Sequence, residues 1–563
     1  MKKTWLRFAF VAAFSLSVLV ACGGGDDDEP TPVGLTVQKI GGYTSPLGKS
    51  ATPPGAVTAQ EIPAFDALSK RVFIVNASLS TVDVLDLSDP TKPVLVGVID
   101  VSALGASANG VAVSDGLVAV AIEKNPKTDP GLVGFYNAGT LQLITSVTVG
   151  ALPDMLTFTA DGKRVVVANE GEPSGYGTPP AGSSYADPEG SVSVITVNRS
   201  GSGSSLTAAP VVATADFKAF IGQEDELRAQ GIRIYGPGAN AAQDLEPEYI
   251  TVSADSKTAY VALQENNAIA VVDVATARVT AIKSLGFKDH SIAGAGLDAS
   301  DEDGGVDTNS GTAKINIVPR PVRGLYLPDA IANYSVDGIA YLITANEGDA
   351  RADWPGFNEE TRVRAHCSAG GLDPAVFGVD AAKLLFDSAL GRLRITTTPN
   401  GGNTGKNAAG QCNALYSFGG RSISIWRASD VSRVFDSGDD LEQRTKALTE
   451  AKFNASHDND TLDARSSNKG PEPEGVVIAQ FGSRSFAFVA LERIGGVAVY
   501  DVSKPAAAAF VTYLNTRTGV TGDRGPEGMA FVPASRSPNG KPLLIIGNEE
   551  SGTTAVHQIN LSY

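Results

Sequence analysis

A carboxylate that opens one short apolar run, followed by a second that closes the next run, recurs along this chain and limits what it can fold into. The clearest copy starts at Glu248, passes through Tyr-Ile-Thr-Val, and reaches Glu265 just before a third apolar run ending at Asp273. The same pairing joins Asp154 to Glu170, Asp329 to Glu347, Glu474 to Glu492 and Glu527 to Glu549, with members 16 to 22 residues apart. The runs are short, rich in Val, Ile, Ala and Tyr, and bounded by Gly, Asp and Ser, as strands and turns are. A chain of 563 residues exceeds one ordinary globular core. A repeat of this period therefore favours a body built from repeating units.

Counting units gives the architecture. Segment 61–102 supplies four β runs, and comparable units begin at Asn109, Asp154, Glu248, Asp329, Glu474 and Glu527. Seven such units predict an all-β, seven-bladed β-propeller over residues 35–563. A two-domain β-sandwich leaves the equal units unexplained. The last unit runs out at Tyr563 after its third strand, while Leu35–Tyr43 is a β run with no unit of its own. The N-terminal run is expected to complete the last blade and remove an open edge. Segments 171–189, 198–245, 286–325, 352–418 and 436–470 interrupt the rhythm. Loops after a second strand and before a first strand leave an antiparallel blade at one end, so these insertions should crowd one mouth.

The first residues read as a targeting segment. Lys2, Lys3 and Arg7 precede an apolar run that ends Leu19-Val-Ala-Cys22, a lipoprotein signal over 1–21 with Cys22 as the lipidated residue. Residues 22–34, rich in Gly and Asp, then form a flexible tether. Gly23 after the cysteine favours the outer membrane or surface of a Gram-negative cell, with the lipid as the sole membrane contact. Export places Cys367 and Cys412, both inside 352–418, in an oxidising compartment where an even pair is usually bridged. The formal charge of −17 speaks against nucleic acid and for divalent cations as partners.

Antiparallel strands bring the start of strand one beside the end of strand two, so both recurrent acids face one mouth. The inner ring comprises Glu61, Asn109, Asp154, Glu248, Asp329, Glu474 and Glu527. The companion ring comprises Asn76, Glu123, Glu170, Glu265, Glu347, Glu492 and Glu549. Close carboxylates repel by on the order of 1 to 4 kcal/mol at ~4 Å. Protons, basic side chains or bound cations must relieve this, and Ca²⁺ is the hard cation such oxygens suit. Asp298, Asp301 and Asp303, alternating before Gly304, form part of a calcium-type loop without the EF-hand's closing Glu. Arg351, Arg465 and Lys469 stand near the fifth and sixth acidic pairs. They could grip a phosphate oxyanion beside metals or simply pair with surplus acids. No Gly-x-Ser-x-Gly elbow or His-Glu-x-x-His motif occurs. Metal-assisted hydrolysis is the chemistry this inventory suits, if there is any.

Several stretches resemble the choice-of-anchor I family of bacterial surface proteins, related to the mesenchyme-specific cell-surface glycoproteins of animal biomineralisation. They include Ala168-Asn-Glu-Gly-Glu-Pro, Asp244-Leu-Glu-Pro-Glu, Thr344-Ala-Asn-Glu-Gly-Asp-Ala-Arg and Lys469-Gly-Pro-Glu-Pro-Glu-Gly. Members are often labelled alkaline phosphatase, and the acidic mouth has a more distant likeness to calcium-dependent propeller phytases. The resemblance implies a surface protein that is either a Ca²⁺-dependent phosphoester hydrolase or a non-catalytic calcium-binding scaffold for mineral, polysaccharide or protein.

Overall fold

Runs of uninterrupted Val, Ile, Ala and Phe become strands buried on both faces. Arg71–Asn76, Leu117–Glu123, Arg164–Asn169, Arg484–Leu491 and Leu543–Asn548 are each enclosed along almost their whole length. Such strands need a neighbouring sheet on each side. The computed structural model supplies it, describing residues 30–46, 59–180, 184–199, 201, 203–305, 311–352, 354–400 and 404–563. The signal segment, Cys22 and most of the tether lie outside the described residues.

Among the described residues, seven four-stranded antiparallel sheets hold the repeat units in sequence order. Their innermost strands are Pro63–Asp66, Ser107–Ser114, Pro153–Phe158, Ile250–Val252, Ile331–Val336, Pro473–Phe481 and Pro526–Val532. Each touches the next, and the last touches the first, so the sheets close around a central channel as a β-propeller. The N-terminal strand Gly34–Thr44 pairs antiparallel with Thr553–Ser562 and is the outer strand of the last sheet. Apolar clusters lie between successive sheets. One joins Val75, Val82 and Ile99 of the first to Val111, Val118 and Ile122 of the second.

The insertions carry more order than their sequences announce. Segment 198–245 is not one loop, because Val211–Asp216 within it is the outer strand of the third sheet. That strand is mostly exposed, so its apolar pattern is weak. Segments 286–325 and 352–418 combine into an accessory five-stranded sheet of Phe287–Asp289, Arg323–Leu325, Tyr416–Ser417, Arg394–Thr396 and Glu360–Arg362. It has its own core, including Leu297, Val322, Leu393 and Leu415 around the Cys367–Cys412 disulfide, whose Cα atoms are 5.7 Å apart. Segment 436–470 contributes the helix Asp440–Thr449.

Candidate functional site

The inner acids are aimed by a shared irregularity. Strand pairing slips between Ala108 and Gly110, Pro153 and Leu156, Pro473 and Val476, and Pro526 and Met529. Asn109, Asp154, Glu474 and Glu527 sit in these bulges, which turn a side chain away from the sheet's regular alternation. Glycine then lets adjacent strands close up. A Cβ on Gly110, Gly475 or Gly528 would collide with the backbone carbonyl of Asp154, Glu527 or Glu61 on the next sheet. Glu61, Asn109, Asp154, Asp329 and Glu527 thereby line one cavity of about 160 Å³, with Met155 and Tyr249 beside them.

The electrostatics divide the acids into two groups. Burial, then Glu172 and Glu123, pushes Asp154 up to about 7. Burial, followed by neighbouring carboxylates, raises Glu170, Glu248, Asp329, Glu474 and Glu527 well above the usual carboxylate range. Glu265 and Glu549 are likewise pushed up to about 7, burial first, although Arg351 moderates the one and His457 and Arg493 the other. Glu248, Glu265, Glu474 and Glu527 each keep an Oε2 that is shut off from solvent and accepts no hydrogen bond. Those oxygens are the fit of this site to a cation, since an orphaned buried carboxylate oxygen is costly until something positive reaches it.

The second group is neutralised by side chains. Glu347, Glu472 and Glu492 place oxygens within 4.8 Å of one another. Lys469 Nζ lies 2.6 Å from Glu347 and 3.3 Å from Glu472, while Arg493 lies 3.1 Å from Glu472 and 2.9 Å from Glu492. Arg465 donates to Glu472 from Nε at 2.7 Å. Burial would raise Glu472, but Lys469, Arg465 and Arg493 outweigh it and hold this acid far below its ordinary value. Gln264 also donates to Glu347 at 2.9 Å. This is an ion-pair knot, with Glu472 at its centre.

The three basic residues considered for oxyanion binding are thus occupied. Arg351 is 2% exposed; its guanidinium reaches Glu246 at 2.7 Å, pairs with Asp244, and stacks 4.6 Å from the centre of the Tyr235 ring. Lys469 and Arg465 belong to the Glu472 knot. Of the calcium-type loop, Asp298 and Asp303 come together with Asp463. Asp301 does not, because Arg392 clasps it with two bonds of 2.6 and 2.7 Å.

Register also corrects one companion position. Asn76 is the last residue of its strand, as Asn169, Asn346 and Asn548 are of theirs, so Ala77 stands where Glu170, Glu347 and Glu549 stand. These asparagines brace the sheet: Asn76 donates to Asp83 at 3.2 Å and Asn169 to Ser193 at 3.0 Å. In the fourth sheet Gln264 holds the equivalent place, one residue before Glu265. Glu472 and Asp463 were missed as convergent acids. Glu472 could have been found from its two-residue spacing to Glu474 among Lys469, Arg465 and Arg493.

Similar proteins give the context. Gigasin-3a of Magallana gigas is 28% identical over 191 residues, 31% of this chain and 66% of that protein. The mesenchyme-specific cell surface glycoprotein of Strongylocentrotus purpuratus is 28% identical over 337 residues, 53% of this chain and 41% of that protein. The chain thus spans less than two thirds of either relative. Among solved structures, Kuenenia stuttgartiensis hydrazine synthase overlaps with a TM-score of 0.45 at 13% identity, over 89% of this chain and 96% of that one. The WD40 domain of Toxoplasma gondii coronin gives 0.44 at 9% identity, over 95% and 89%. Both overlaps are loose. No helix among the described residues is long and apolar enough to cross a membrane. The model of the choice-of-anchor I domain matches residues 61–505, most of the chain, and its name points to the cell surface. The protein belongs to the choice-of-anchor I family.

Proposed function

We propose that this is a calcium-binding surface scaffold, held to the outer membrane by a lipid on Cys22, whose channel carboxylates hold Ca²⁺. The observation that carries the reading is the set of buried, unpartnered oxygens on Glu248, Glu265, Glu474 and Glu527, among acids raised by burial and mutual repulsion. Protons neutralise such a ring in mild acid; at neutral pH and above a hard cation does so better, completing its six to eight ligands with water and carbonyl oxygens. Through the bound cations the mouth would engage an anionic surface polysaccharide or mineral.

Phosphoester hydrolysis ranks second because Arg351, Arg465 and Lys469 already spend their donors on Asp244, Glu246, Glu347 and Glu472. A phosphate would have to displace those carboxylates. Chelator-stripped protein titrated with Ca²⁺ in a calorimeter tests the scaffold reading, followed by assay of p-nitrophenyl phosphate and phytate. Binding heat and a raised Tm are expected, with both substrates untouched. No heat and an unchanged Tm would overturn calcium binding, whereas metal-dependent turnover would restore the hydrolase.

A further inference from the structure

We infer that Asp298, Asp303 and Asp463 form a second divalent-cation site, separate from the channel, that clamps the 286–325 loop to the 436–470 insertion. Each acid offers an oxygen within 4.8 Å of the other two, although Asp463 is far from the others in sequence. Asp298 and Asp463 are fully enclosed. Both carboxylate oxygens of Asp303 are shut off from solvent and accept no hydrogen bond. A half-buried carboxylate whose two oxygens are sealed from solvent, near the Asn316 side chain but facing two enclosed acids, is an arrangement that a hard cation resolves.

Arg320 and Lys314 act on Asp303 only from a distance. Among the described residues, no Lys, Arg or His nitrogen pairs with any of the three within 4.0 Å. Arg320 lies near enough to feel Asp298 and Asp303, yet its Nε has no hydrogen-bond partner. Glu442, the next acid, is already held by Arg421 at 2.8 Å and Asn454 at 2.9 Å. Backbone amides orient the ligands: Asn316 N–H donates to Asp298 at 2.6 Å and Lys314 N–H to Asp463 at 3.3 Å.

The test uses the full mature chain with Ca²⁺ and Tb³⁺ as probes. Bound Ca²⁺ per chain should fall by one ion in Asp303→Asn and stay unchanged in Asp301→Asn, whose side chain is clasped by Arg392. A channel variant, Glu474→Gln, should leave this ion in place. If Glu474→Gln changes nothing and Asp303→Asn abolishes all binding, the loop site stands and the channel reading falls. Unchanged stoichiometry in Asp303→Asn overturns the loop site. Should that variant misfold by near-UV circular dichroism, Tb³⁺ soaked into wild-type crystals decides: an anomalous peak among the three carboxylates supports the site, and its absence there rejects it.

Discussion

Glu527 and Arg351 show how differently two buried charges behave. Glu527 faces Glu549, Glu61 and Asp329 across the channel, and nothing donates to its Oε2. Replacing it with Gln keeps its shape and removes a repelling charge. In chelator at alkaline pH, Glu527→Gln should therefore be more stable than the wild type by about 1 kcal/mol or more. With Ca²⁺ present the order should reverse, because a ligand is lost; paired urea melts with and without Ca²⁺ check this. Arg351 is the opposite case. Its removal leaves Asp244 and Glu246 enclosed with no cation, so Arg351→Ala should cost about 3–5 kcal/mol in the same melts. A loss below about 1 kcal/mol would mean the pair is solvated and the arginine free to bind a ligand.

At the scale of elements, the accessory sheet depends on its disulfide more than the propeller does. Cys367 and Cys412 are 45 residues apart, and closing a loop of that length contributes roughly 4 kcal/mol in the chain-entropy model. The strands it steadies are short, such as Glu360–Arg362 and Arg394–Thr396. Cys367→Ser with Cys412→Ser should speed amide exchange across 352–418 while strands such as Arg484–Leu491 stay protected; uniform exchange throughout would contradict this. The same contrast explains what the residues disclosed. Strands enclosed between sheets read as unbroken Val, Ile and Ala, so the units were legible, and the outer strand Gly34–Thr44 was legible as a β run left without a unit of its own. Three-residue strands show no periodicity, and the accessory sheet stayed hidden among Gly, Pro and Asn. The acidic rings were legible as a pattern but not to the residue. Asn76 closes its strand as a brace, one residue short of the companion position, whereas Glu265, just beyond Gln264, falls on it. Asp463 meets Asp298 and Asp303 across loops distant in sequence and came only from the fold, whereas Lys469 and Arg465 lie close to Glu472 in the chain.

For the molecule as a whole, the buried acids set how stability follows pH. Asp154, Glu265, Glu549 and Asp463 are pushed up to about 7 and Asp298 to about 8, all by burial first. Unfolded, each would titrate near its ordinary value of about 4. Between these limits the folded protein holds protons that the unfolded chain has released. The contribution of these groups is therefore full below about pH 4 and lost as pH rises through 7 and 8. Glu472 runs the other way, since its basic neighbours hold it low and its contribution disappears only in strong acid. Acids such as Asp436 and Asp523, also held low, lose their contribution only in acid. The buried His290 and His557, lowered to about 3 and about 4, oppose the fall only below about pH 6.5, where the raised Glu170, Glu248, Asp329, Glu474 and Glu527 outnumber them. In chelator, Tm should accordingly fall from about pH 5 to about pH 9. Saturating Ca²⁺ should flatten that fall, because the cation replaces the departing protons, and its stabilising effect should grow with pH. A calorimetric series at both metal conditions measures this. A Tm in chelator that holds level or rises across the interval would mean the acids are already compensated, leaving no electrostatic demand for the metal.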